Sequence, residues 1–309
     1  MVEGGKTPYC PASEAMLMAV KHGNLQLAQD LVNHCGAREN YRNKDGTNLL
    51  SAVAQSGIIR LFHIYADEYP EMLYVKDSKG YYPISYLIES PKGWASATIM
   101  AKKYPRLLKQ RWGHRDQNFI AMELAGQGHI DNLIDIARQN PAVLEERERE
   151  SSGYTPALFY AWFHAHKNPV GLSKRIQTFP SVLDQTMRGG PFSIIHTLAI
   201  RGIDSVFLEV IQKQPQLLFL QEHTGTTPPL VLLTDQNWDM LERAAEIEPD
   251  ILTFRNNEGH TLLSYALRQQ MFHSAGKIIK LMRNDGLSWR QIIACTRRGT
   301  PTGLDKLTE

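Results

Sequence analysis

The chain has 309 residues, a formal charge of +2, 42 % apolar residues and 21 % charged ones. So small a net charge gives no argument for nucleic acid or a membrane surface as partner, and no apolar run approaches the ~20 residues that a membrane span needs. Three cysteines, Cys10, Cys35 and Cys295, are odd in number and scattered, which argues against a disulfide framework and for a reducing, cytoplasmic compartment.

Residues 1–11 open Met1-Val2-Glu3-Gly4-Gly5-Lys6. They lack the charged-then-apolar order of a secretory signal and read as an N-terminal extension. Beyond them two markers recur. Pro70, Pro105, Pro141, Pro180, Pro215 and Pro249 each precede a Leu by three residues, at steps of 35, 36, 39, 35 and 34. Gly46, Gly80, Gly113, Gly153, Gly190, Gly225 and Gly259 run in step, 34, 33, 40, 37, 35 and 34 apart. Self-similarity at such a period predicts stacked units that bury apolar faces only against neighbours.

Each unit has a physical reading. Glycine permits the positive φ of a hairpin tip. A pair such as Thr155-Pro156 then starts a first helix, because Thr accepts from free amides and Pro suits the first helical position. A second, amphipathic helix follows: Ile130, Leu133, Ile134 and Ala137 fit its spacing, as do Ile203, Val206, Phe207 and Val210. The marker proline ends that helix, and an extended tip leads onward.

Departures from the unit come in chain order. The stretches from Pro105 to Gln117 and from Pro141 to Gly153 run twelve residues instead of ten, the latter through the charged run Glu145–Glu150. Both tips are expected to project. Extra residues around His166-Lys167-Asn168-Pro169-Val170 lengthen the turn between the helices of the fifth unit, and insertions in repeats often gather on the binding face. In the tail, Ser288 and Gln291 form a capping-box pattern, with Trp289, Ile292 and Ile293 as the apolar face of a terminal helix. Residues 299–309 read as a polar, frayed end.

These residues resemble the ankyrin-repeat family, whose unit opens Gly-x-Thr-Pro-Leu-His, continues through a small Ala pair and reaches Gly-His before a leucine-rich helix. Thr155-Pro156, Ser193-Ile194-Ile195-His196-Thr197-Leu198-Ala199 and Gly128-His129-Ile130-Asp131 carry the likeness. Elsewhere the motif is replaced, by Thr47-Asn48-Leu49-Leu50 and by Tyr82-Pro83-Ile84-Ser85. The resemblance implies an all-α fold: an ankyrin-like helix-turn-helix solenoid of about eight stacked units with short hairpin tips. It spans residues 12–285, with a capping helix and polar tail over 286–309. The tail, with Leu307 near its end, is similar to C-terminal export signals of type IV secretion substrates. That likeness implies an effector secreted into a host cytoplasm.

Such a scaffold implies a monomeric chain that holds a protein partner on its concave face and tips, with no cofactor and no nucleic acid. The position after each marker glycine then matters: Thr47, Tyr81, His114, Tyr154, Thr226 and His260. Trp112 precedes its glycine, and Trp162 falls in the first helix of the fifth unit. Aromatic residues anchor interfaces because they bury much area with few rotors, so Tyr81, Trp112, His114, Tyr154 and Trp162 are the candidate partner-binding residues. Tyr82 and Tyr86 are expected inside. Lys102, Lys103, Arg106, Lys109, Arg111 and Arg115 form a candidate basic patch, whose bland reading is a solvated helix back. No catalytic or metal-ligating set emerges, since His164 and His166 lie two apart and do not converge. The alternative is an enzyme with its site on the extended tips near Trp112 and His164.

Overall fold

A computed structural model describes residues 9–90, 93–113, 118–147, 153–185 and 193–299. Among these residues there are seventeen α-helices and no strand, so the all-α expectation holds. The chain divides into two compact units, Met1–Glu150 and Ser151–Glu309.

Unit 1 carries four consecutive helix pairs: α1 (Pro11–Lys21) with α2 (Leu25–Cys35), α3 (Leu49–Ser56) with α4 (Ile59–Glu68), α5 (Pro83–Glu89) with α6 (Gly93–Lys103), and α7 (Ile120–Gly126) with α8 (Ile130–Gln139). First helices pack on first helices, α1 on α3, α3 on α5 and α5 on α7. Second helices do the same from α4 through α6 to α8. The amphipathic spacing explains this arrangement. Ile130, Leu133, Ile134 and Ala137 are all buried on α8, and Leu49, Leu50 and Val53 on α3. Each of these Ile, Leu and Val side chains contributes about 1.5–3 kcal/mol by leaving water.

Unit 2 repeats the scheme with α9 (Pro156–Phe163) and α10 (Pro169–Thr178), α11 (Ile194–Ile200) and α12 (Asp204–Lys213), α13 (Pro228–Thr234) and α14 (Trp238–Ile247), and α15 (Leu262–Arg268) and α16 (Phe272–Asn284), before α17 (Trp289–Cys295). Caps start the first helices as the sequence suggests. Thr155 accepts from the Leu158 amide, Thr227 from Leu230 and Thr261 from Ser264. Ile203, Val206, Phe207 and Val210 are buried as expected. The backbones of α9 and α10 do not approach as closely as those of the other pairs. Tyr160 and Arg175, among the largest fully buried side chains, belong to this pair.

The marker prolines do more than end helices. Each opens a short 3-10 turn, from Pro70–Tyr74 to Pro249–Leu252, and the Leu three residues on is buried in every case. The expected extended tip therefore begins one turn later. Four of the tips share one geometry. The backbone N–H of Asn43, Asp77, Glu222 and Asn256 donates to the carbonyl four residues ahead, at 2.8–3.1 Å. Asn43, Asp77 and Asn256 also accept from tip amides through Oδ1, as in Thr47 to Asn43 at 2.8 Å and Tyr81 to Asp77 at 2.9 Å. Every described marker glycine has positive φ. At Gly46, φ is +79° and a Cβ would stand 2.8 Å from the Asp77 Cα of the next tip. The Ser78 amide donates to the Asp45 carbonyl at 2.6 Å, so consecutive tips lean on each other.

The tail is a correction in detail. The Ser288–Gln291 capping box is present. However, Trp289 and Ile293 are 59 % and 56 % exposed, while Ile292 and Cys295 turn inward. Ile292 and Cys295, three apart, share the inward face, and Trp289 and Ile293, four apart, share the outward one. The helix is tied to the last tip by Thr261 Oγ1 donating to the Cys295 carbonyl at 2.6 Å and Arg255 donating to the Ala294 carbonyl at 2.7 Å.

Candidate interaction surfaces

The tip aromatics separate once placed. Tyr81 is half-buried, its ring 5.6 Å from that of Tyr86. Tyr86 is half-buried and donates to Asp77 Oδ2; burial, then that bond, raises its hydroxyl pKa. Tyr82 is also half-buried, beneath the Lys76 ammonium at 5.2 Å, so neither is the core residue expected. Trp112 is the larger correction: it is 2 % exposed and cannot be an exposed anchor. Its backbone pairs with Asn118 at 3.0 and 3.1 Å, six residues ahead instead of four. Trp112 thus opens its lengthened tip, in the slot of Asn43 and Asp77, and Asn118 closes it in the slot of Tyr81. His114 and Arg115 lie outside the described residues, as does most of the second lengthened tip.

The basic run does not stand as a free patch. Lys103 Nζ meets Asp67 at 2.5 Å, Lys102 meets Asp135 at 2.8 Å and Arg111 meets Glu146 at 3.1 Å. Arg106 lies 5.1 Å from the Tyr74 ring, and Lys109 is exposed. Lys103 and then Tyr104 hydrogen-bond Asp67 and lower its pKa, whereas burial raises that of Glu146 despite Arg111. Stacking brings residues one repeat apart side by side, so acids distant in sequence answer these cations. Unit 1 also has a groove of about 430 Å³ lined by Glu14, Lys21, Asp45, Asp77, Lys79 and Tyr86. Glu14 is engaged there by the Tyr41 hydroxyl and the Asn43 amide, each at 3.2 Å.

Unit 2 gathers the remaining candidates. Tyr154, half-buried, meets Phe159 edge-on at 5.7 Å and Phe163 at 6.2 Å, and the two phenylalanines are 4.5 Å apart. These separations leave no room for a cation between the rings, so the cluster is an apolar surface and no cage. Phe163 is 44 % exposed. Trp162 is half-buried, with the Arg201 guanidinium 5.8 Å from its ring. The turn after α9 is the expected longer one, five residues (164–168) against three between α11 and α12. His166 and Lys167 in it are exposed, while His164 is half-buried with its ring 5.9 Å from Tyr160. Phe159, Phe163 and Arg201 were not singled out from sequence, although α9 carries four aromatics in eight residues.

Two buried polar groups complete the picture. His196 Nδ1 lies 2.9 Å from Ser193 Oγ and Nε2 lies 3.1 Å from the Thr226 carbonyl. Burial lowers its pKa to about 4, so a neutral ring with Nε2–H donating ties α11 to the next tip. Arg175 is fully buried and, among the described residues, none of its three guanidine nitrogens has a hydrogen-bond partner. Burial lowers its pKa to about 9, which leaves it charged at neutral pH. Five residues before the other marker prolines stand Tyr65, Met100, Ile136, Val210 and Ala244, so a side chain without charge is the rule at this register. Among the described residues, no three His, Cys, Asp or Glu side chains gather as a metal site, and no helix is long and apolar enough to cross a membrane.

No family model and no curated protein matches the chain. Among solved structures, it aligns with a chain from the complex of the Bd0816 predatory endopeptidase of Bdellovibrio bacteriovorus with immunity protein Bd3460. That chain is 14 % identical, the alignment covers 76 % of this chain and 98 % of that one, and the TM-score is 0.42. A likeness of that degree assigns neither fold family nor activity.

Proposed function

We propose that the chain is a non-enzymatic interaction scaffold built of ankyrin-like helix pairs, and that a partner protein seats on the aromatic surface of α9. The observation that carries this reading is the cluster of Tyr154, Phe159 and Phe163, partly open to water and continued on the same helix by Trp162. Aromatic area left in water costs free energy unless a partner covers it, and rings with few rotors lose little entropy when docked. The ankyrin-like part rests on the paired helices, on glycine tips with positive φ, and on His196 bridging one pair to the next tip.

The test is affinity capture from a eukaryotic lysate, read by mass spectrometry, with the wild-type chain beside Tyr154→Ala/Trp162→Ala/Phe163→Ala. Proteins retained by the wild type and lost by the triple variant, at an unchanged melting temperature, support the scaffold. Identical captures from both would remove α9 from the interface.

A further inference from the structure

The layer that holds the aromatic surface differs from its neighbours in charge. From Gly153 through Leu183 the sequence has no aspartate or glutamate, the first acid being Asp184 at the end of the layer's 3-10 turn, yet it has Lys167, Lys174 and Arg175 as well as His164 and His166. Arg175 adds a buried charge that, among the described residues, no hydrogen-bonding group offsets. A charge in a low-dielectric interior is weakly screened and contributes to the field at the nearby surface.

Of the next layer's acids, Glu209 and Asp204 are already engaged, Glu209 by α10 of this same layer, and Glu222 is buried. Glu209 accepts from Ser173, from Gln177 at 2.6 Å and from Lys213 at 3.0 Å, and Asp204 accepts from Asn237 at 3.2 Å. Lys167 is exposed, and among the described residues no carboxylate pairs with it. Arg201 carries a second cation to the rim of the aromatic surface, over Trp162. The long turn then presents Val170, 75 % exposed, beside Lys167 in sequence and at the start of α10.

We propose that this surface takes an acidic segment of a partner protein, with carboxylates toward Lys167 and Arg201 and an aromatic or branched apolar side chain against Trp162 and Phe163. This rests on the scaffold reading and names the chemistry of its partner. Opposite charge at an interface rim speeds encounter and fixes register, while the apolar anchor supplies most of the affinity. A membrane is disfavoured because stable lipid binding needs a polybasic cluster. Nucleic acid needs an array of phosphate contacts, and two rim cations do not form one.

The experiment pans a library of random dodecapeptides against the full chain and measures selected peptides by fluorescence anisotropy. Selected sequences should combine Asp or Glu with Phe, Trp, Leu or Ile. Their affinity should fall about tenfold in Lys167→Glu/Arg201→Glu and also at raised salt. If that variant lowers the melting temperature, Lys167→Gln/Arg201→Gln replaces it, with a smaller loss expected. Neutral or basic peptides that still need Trp162 and Phe163 would overturn the acidic partner and leave the scaffold standing. Peptides indifferent to all four side chains would overturn both. Vesicles of equal phosphatidylserine and phosphatidylcholine serve as the lipid arm; binding to them through Lys167 and Arg201 would overturn the proposal.

Discussion

In unit 1, Lys102, Lys103 and Arg111 each meet a carboxylate one repeat away, and the largest aromatic of its lengthened tip, Trp112, is inside. At the start of unit 2 the opposite holds: Arg175 is buried with no hydrogen-bond partner among the described residues, and Phe163 and Trp162 face outward in part. One repeat plan therefore accommodates two treatments of the same residue types. Where partners lie one repeat away, charge is spent on holding layers together. Where they are missing, the layer is poorer in internal stabilisation and richer in surface that another molecule can use.

That contrast is open to direct attack. Trp112→Ala should cost about 3–5 kcal/mol, the usual range for emptying a buried aromatic site, whereas Tyr154→Ala should cost far less because its ring is half-buried. Urea unfolding of both variants measures the gap, and equal losses would erase the distinction between core and surface aromatics. The second largest effect concerns pH. With a folded pKa of about 4 against about 6.5 unfolded, His196 stays neutral in the fold while the unfolded chain takes up a proton. Stability from this group is therefore complete above pH 6.5 and declines as pH falls toward 4, by about 3 kcal/mol in all. His196→Gln should flatten that part of the stability–pH curve, and an unaltered slope would show that other groups set it.

Arg175→Met, which installs the side chain of Met100 at the same register, should raise stability by about 2 kcal/mol, because an apolar residue replaces a desolvated charge. A lower urea midpoint would mean that the guanidinium has a stabilising partner. Smallest of all, Lys103→Ala or Asp67→Ala should change stability by about 0–1 kcal/mol, since both side chains are half in water. A larger loss would make the unit 1 ion pairs structural in earnest.

Much of the fold was legible because it is local. Glycine φ, helix caps and apolar spacing act within a few residues, and α8 and α12 are as the spacing of Ile130 and Ile203 implies. What escaped is either non-local or shifted. The cations at 102–111 are answered by Asp67, Asp135 and Glu146, pairings that stacking creates and chain order hides. The tip at Trp112 was misread because two added residues move its closing position, eleven beyond the marker proline at Tyr81, to Asn118, thirteen beyond Pro105, so counting from Gly113 points to the wrong side chain. The prolines read as stops, but a residue with fixed φ and no N–H is equally suited to open a turn. Arg175 had a sequence sign after all, a charge at a register where the other five residues are uncharged.

The closeness of Gly46 to Asp77 has a consequence for how such a chain diversifies. With a Cβ position 2.8 Å from the neighbouring backbone, any other amino acid there would shove the adjoining hairpin aside, so the glycine is a fixed rivet. Asp45, exposed beside that rivet, carries no such restriction. New recognition can therefore be written into the fingertips while the spacing of the hand is left untouched.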